Sequence, residues 1–123
     1  MDIAFSINNI PIRLTAERWL HIVENHDDVA GYYEDVLAVV ESPELLLPGH
    51  KGSLYRRAPG SIILYRSKMV LPVLLVSIIA VRNYGHRRYL LVIYREISAE
   101  DGFIVTAFFT NEIDRKKAIW KLQ

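Results

Sequence analysis

As far as Glu41 the apolar positions of the chain recur at helical spacing, and beyond Pro48-Gly49 they fall into runs that suit strands. Residues 10–14 read as a short strand. Thr15, with Glu17 close behind it, reads as the N-cap of a helix reaching about Asn25, with Trp19, Leu20, Ile22 and Val23 as its apolar side. Asp27-Asp28 then caps a second predicted helix, in which Val29, Tyr33, Val36, Leu37 and Val40 share a side until Ser42-Pro43 stops it. Residues 53–57, 61–66 and 73–81 read as strands separated by Pro59-Gly60 and Ser67-Lys68, the first two suited to a hairpin. Residues 82–87 are a turn into a strand over 88–96, residues 99–102 are another turn, and residues 103–110 are the last clear strand. Residues 114–120 suit either a short helix or a further strand. The expected fold is α+β: two N-terminal helices packed on one face of a curved, mostly antiparallel sheet, its other face partly open.

A chain of 123 residues, 51% of them hydrophobic, suits one domain over residues 1–123 with one core. The chain has no cysteine, which excludes thiolate chemistry and disulfide frameworks and fits a reducing compartment. The first residues carry neither a basic start nor an apolar stretch ending in small residues, so no secretory signal is expected. The longest apolar stretch, residues 69–81, falls short of the roughly 20 residues that a membrane helix needs and contains Pro72 and Ser77. It is expected to be a buried strand, and the protein to be cytoplasmic.

The net charge of +1 conceals an uneven distribution. Residues 1–44 carry nine acids and two bases, whereas residues 45–95 carry nine bases and no acid. Residues 96–123 hold five acids and four bases, the bases being Arg115, Lys116, Lys117 and Lys121. Acidic helices and a basic sheet would give a two-sided molecule suited to a polyanion, RNA above all. The plainer alternative is scattered solubilising charge.

No phosphate loop, dinucleotide fingerprint or nucleophile elbow occurs in the sequence. His21 and His26 are five apart, not the three or four that would let a helix present both to one metal, and no metal or cofactor site is expected. The remaining polar groups suit cleavage of RNA without a metal, in which the 2′-hydroxyl is the nucleophile. A base removes its proton, an acid protonates the departing 5′-oxygen, and a cation steadies the charge on phosphorus. The candidates are His21, His26, Arg95, Thr106 and Thr110, with Arg82, Arg88, Tyr94, Phe108, Arg115, Lys116 and Lys117 as RNA contacts. Strict alternation would put Ile104, Thr106, Phe108 and Thr110 on one face, a polar and aromatic platform on which a base stacks. Each residue also has an ordinary use: His21 on a helix surface, His26 at a helix end where a cation suits the dipole, Tyr94 in the core, and threonine as a common strand former.

The stretch Arg18-Trp19-Leu20-His21-Ile22-Val23-Glu24-Asn25-His26 resembles the paired-histidine helix of the small phage and toxin nucleases grouped with barnase, EndoU, colicin and RelE-like folds. The resemblance extends to Tyr89-Leu90-Leu91-Val92-Ile93-Tyr94-Arg95-Glu96, to the Asp101-Gly102 turn with Phe103-Ile104-Val105-Thr106-Ala107-Phe108-Phe109-Thr110, and to Arg115-Lys116-Lys117 with Trp120. It implies a metal-independent endoribonuclease of the toxin type, neutralised by a cognate antitoxin. His21, His26, Arg95, Thr106 and Thr110 would line its active site, and Lys116 or Lys117 would contact phosphate. Residues 58–76 depart from the family by their length. Their apolar strand surface is expected to be covered, by a second copy in a homodimer or by an antitoxin segment that adds a strand. A non-catalytic RNA-binding module and a protein-interaction domain paired through the middle strands are the rival expectations.

Overall fold

A computed structural model describes residues 1–49 and 77–122. In chain order these form β1 (Asp2–Phe5), β2 (Pro11–Leu14), α1 (Ala16–Asn25), a 3-10 turn (Asp27–Val29), α2 (Tyr33–Glu41), β3 (Leu45–Pro48), β4 (Ser77–Asn83), β5 (Tyr89–Ser98), β6 (Asp101–Thr110), a second 3-10 turn (Arg115–Lys117) and β7 (Trp120–Lys121). The strands make one sheet in the order β1-β2-β6-β5-β4-β3-β7. Every neighbouring pair is antiparallel except β2 and β6, which run parallel through Ile12 opposite Gly102 and Arg13 opposite Phe103. The fold is therefore α+β, as the hydrophobic pattern predicts. The predicted strands over 53–57 and 61–66, and the whole of segment 58–76, lie outside the described residues.

Helix α1 starts where its cap predicts, the Thr15 hydroxyl accepting a hydrogen bond from the Arg18 N–H at 3.1 Å. Ile22 is its fully buried residue, with Trp19 and Val23 packed beside it. Leu20, expected on the apolar side, is 58% exposed. The second helix begins later than Asp27-Asp28 suggest: those residues enter a single 3-10 turn, and α2 follows beyond Gly31, burying Val36, Val39 and Val40. Trp19 and Tyr33 meet edge to face at 5.1 Å and join the two helices. The Tyr33 hydroxyl also donates to the Asp2 carboxylate at 2.6 Å, tying α2 to β1.

Both helices cover one face of the sheet. Ile12, Leu14, Ile78, Ala80, Leu90, Val92, Tyr94, Ile104 and Ala107 point into a core with Ile22, Val29, Val36, Val39 and Val40. A second cluster occupies the far face, where Leu45, Leu47, Val81 and Leu91 pack with Ile79, Tyr89, Phe108, Ile113 and Ala118. The segment after β6 thus crosses part of that face on its way to β7, which pairs with β3 at the sheet edge. Residues 114–120, readable as helix or strand, hold the second 3-10 turn and the start of β7.

Three strand features escaped the periodicity. β1 and β3 are four residues each, too short for alternation to stand out. The third is a bulge in β6: Ile93 pairs with Thr106 and Tyr94 with Ile104, so Val105 is the extra residue. It reverses the alternation. Ile104 faces the helices, and Thr106, Phe108 and Thr110 face the far side. The part of residues 73–81 that is described, from Ser77, is an interior strand bonded to both β3 and β5.

Candidate functional site: the far face of β6

Strand β2 ends at Leu14, so beyond Phe103 β6 has no strand partner on that side among the described residues. Helix α1 and the 3-10 turn after it lie along this edge instead. Arg18 of α1 donates from Nη1 to the Val105 carbonyl at 3.4 Å, which holds the helix at the bulge. Near the other end of α1, the His26 N–H closes the last turn onto the Ile22 carbonyl at 2.8 Å. From this cap the half-buried His26 ring reaches Phe108, with ring centroids 5.3 Å apart and planes 30° from parallel. An imidazole is thereby fixed at the rim of the platform.

The cross-strand register lays out the rest. Moving along the far face of β5 and β6, Arg95 pairs with Phe103, Ile93 with Thr106, Leu91 with Phe108 and Tyr89 with Thr110. Phe108 therefore lies between two threonine hydroxyls, and Arg95 is diagonal to Thr106, a separation of about 7 Å between Cα atoms in such pairs. Arg95 is exposed and donates from Nε to the Ser77 hydroxyl of β4 at 3.1 Å, which orients its guanidinium over this face. The Thr110 hydroxyl accepts from the Glu112 N–H and donates to the Glu112 carbonyl, both at 3.4 Å, closing the turn that follows.

Four of the five residues expected to carry chemistry, His26, Arg95, Thr106 and Thr110, thus belong to one surface with Phe108. His21 does not join them. It is exposed on α1, its carbonyl accepting from the Asn25 side-chain amide at 2.9 Å. The expected RNA contacts are dispersed. Tyr94 is wholly buried on the helix side of β5. Arg82 donates to the Ala38 and Ser42 carbonyls at 3.2 and 2.9 Å, satisfying the C-terminal end of α2. Arg88 lies 3.9 Å over the Phe109 ring and 5.6 Å from that of Tyr32. Arg115, Lys116 and Lys117 form the 3-10 turn capped by Asp114, at the β3 side of the sheet, three strand spacings or about 14 Å from β6. Five of the nine bases of the acid-free stretch, Lys51, Arg56, Arg57, Arg66 and Lys68, lie outside the described residues.

The sequence reading missed Arg18, because its role depends on a bulge that no alternation announces. It also missed Glu96, a buried carboxylate that accepts hydrogen bonds from the Ser6 hydroxyl at 2.5 Å and from the Asn8 amide at 3.0 and 3.2 Å. These bonds tie β5 to the loop between β1 and β2. Among the described residues no group of three acidic or histidine side chains is placed to hold a metal ion, and no helix is long and apolar enough to cross a membrane. Comparison with protein families, with curated proteins and with solved structures finds no match to this chain.

Proposed function

We propose that the far face of β6 binds single-stranded RNA and cleaves it by attack of a 2′-hydroxyl on the adjacent phosphorus, in a fold of the barnase, EndoU, colicin and RelE-like kind. The observation that carries this is the stack of His26 on Phe108, with Thr106 and Thr110 on either side of that ring and Arg95 diagonal to Thr106. Phe108 offers a π-face to one base. His26 takes the proton of the 2′-hydroxyl, the 2′-oxygen bonds to phosphorus, and the bond from phosphorus to the 5′-oxygen breaks. The imidazolium returns its proton to that leaving oxygen. The products are a 2′,3′-cyclic phosphate and a free 5′-hydroxyl. Arg95 and the Thr106 hydroxyl donate to the phosphoryl oxygens as charge builds there. A free nuclease of this kind endangers the cell that makes it, which is the reason to expect a neutralising protein partner.

The test is incubation of total RNA with the purified protein in excess EDTA, beside a His26→Ala variant. The expected result is discrete fragments that the variant produces about a hundredfold more slowly, a size usual for loss of a general base. Intact RNA shifted equally on a native gel by both proteins would replace the nuclease with an RNA-binding module. Binding that is both weak and insensitive to salt would leave a protein-interaction domain.

A further inference from the structure

Next to Thr110 the platform runs into a cleft of about 580 Å³ lined by Arg87, Tyr89, Asn111, Glu112, Ile113 and Asp114. This volume falls within the range of pockets that take small organic ligands, roughly 300–1,000 Å³. Tyr89 is the cross-strand partner of Thr110, so the cleft opens beside the last residue of the line Thr106, Phe108, Thr110. Each step along that line is two strand residues, about 7 Å, a length on which an extended nucleotide strand also repeats.

The lining has the groups that a base requires. Tyr89, half-buried, supplies an aromatic ring. Arg87 stands at the mouth on a turn whose backbone is left-handed at three successive residues, Gly85 (φ 85°), His86 (φ 52°) and Arg87 (φ 59°). Two of these are not glycine, a conformation costing about 1 kcal/mol or more each, here set by the tight turn that joins β4 to β5. The turn is held by hydrogen bonds from the Tyr84 N–H to the Arg88 carbonyl at 2.8 Å and from the Gly85 N–H to the Asn83 side-chain oxygen at 2.6 Å. Asn111, Glu112 and Asp114 supply its polar side chains, one Asp114 oxygen also accepting from the Lys116 N–H at 3.1 Å.

We infer that this cleft is a base-binding subsite, selective for bases that carry an exocyclic amino group, and thus for adenine, cytosine or guanine over uracil. The inference rests on the reading of the platform as an RNA surface, and it adds the choice of sequence. The Glu112 carboxylate can only accept hydrogen bonds, and Asn111 can donate and accept. An amino group gives Glu112 a donor. Uracil offers one ring N–H between two carbonyls, which set oxygen against the carboxylate. Arg87 would take the phosphate of the same nucleotide.

The deciding experiment is titration of the full-length, uniformly ¹⁵N-labelled protein with AMP, CMP, GMP and UMP, following backbone amide resonances. The expected result is movement of Tyr89 and residues 111–114, with UMP binding about tenfold more weakly than the best of the others, the discrimination of one good base contact. Glu112→Gln, an exposed change that the fold tolerates, should bring UMP within about twofold of the others, since the amide can donate to a uracil carbonyl. Equal binding of all four nucleotides, or movement confined to β6, would overturn the subsite. Movement in the cleft by a protein that leaves RNA intact would uphold the subsite and overturn only the cleavage.

Discussion

Ile104 and Thr106 stand two residues apart on β6 and face opposite sides of the sheet, Ile104 wholly buried beneath the helices and Thr106 opposite Ile93 on the far face. The inserted Val105 makes the difference, and the Arg18 guanidinium holds its carbonyl from the neighbouring helix. A side chain of one helix is thereby bonded to the residue that separates the two.

Replacing Arg18 with Met keeps most of the aliphatic stem and removes the donor. The expected cost is about 1 kcal/mol in urea denaturation, the value of one partly buried hydrogen bond to a charged group, together with a fall in kcat exceeding any rise in KM for RNA. Arg18→Lys should recover part of the stability. An unchanged kcat would show that the bulge holds its form unaided.

The two histidines should separate cleanly. His21→Ala is expected to leave RNA cleavage within about threefold of the parent, because His21 is exposed on α1 away from Phe108, whereas His26→Ala should lose about a hundredfold. Initial rates on a fluorescent oligoribonucleotide decide between them. Equal losses would place the chemistry on the helix surface instead of the strand.

How far the site was legible in the sequence follows from these residues. The Thr15 cap, the apolar sides of the helices and the runs that became β5 and β6 could be read from propensity and spacing, and with them the residue types of the platform. The grouping could not. Strict alternation joins Ile104 to Thr106, and one extra residue separates them. A sequence shows no partners for an arginine, so Arg82 and Arg88 read as available for phosphate, yet one satisfies helix carbonyls and the other covers a phenylalanine ring. Tyr94 shows the reverse case: its parity along β5 was visible, but which parity faces the helices depends on the whole sheet.

Arg82 is expected to matter for stability. Arg82→Ala removes donors from the Ala38 and Ser42 carbonyls and should lower the unfolding free energy by about 1–2 kcal/mol. RNA affinity, measured by fluorescence anisotropy at a temperature where the variant is fully folded, should change less than twofold.

Two tyrosines should titrate late. The hydrogen bond to Asp2, followed by burial, pushes Tyr33 up to about 12, and burial, followed by the hydrogen bond to Asp35 at 2.7 Å, pushes Tyr84 up to about 12. Both values exceed the ordinary value of 10, so the folded state keeps protons that the unfolded state has released. Their contribution to stability is complete below pH 10 and is lost as pH rises from 10 to 12. Absorbance at 295 nm should show ionisation near 12 that Tyr33→Phe and Tyr84→Phe each diminish, and Tyr84→Phe should flatten the fall in denaturation midpoint across that window.

Gly102 sits where the parallel pair of strands meets. A Cβ there would lie 2.4 Å from the Arg95 carbonyl oxygen and 2.6 Å from Ile12 Cδ1, and backbone cannot yield as a side chain can. Gly102→Ala is expected to cost about 2–3 kcal/mol, measured by chemical denaturation. A smaller cost would mean that β6 can shift away from the Arg95 carbonyl of β5 as well as from Ile12 at this point.

The pairing of β2 with β6 joins Ile12 to Gly102, ninety positions later in the chain. Neither β2 nor the helices resting on the sheet can be completed until β6 exists, and at a synthesis rate of roughly 5–20 residues per second that delay is about 5–18 s. Contacts so distant in sequence make for slow folding. On the ribosome the acidic N-terminal segment must therefore wait with its apolar positions unburied, open to chaperones or to a waiting partner. The strand carrying Thr106, Phe108 and Thr110 follows β2 by about ninety residues, so this surface is assembled only after both helices have been made.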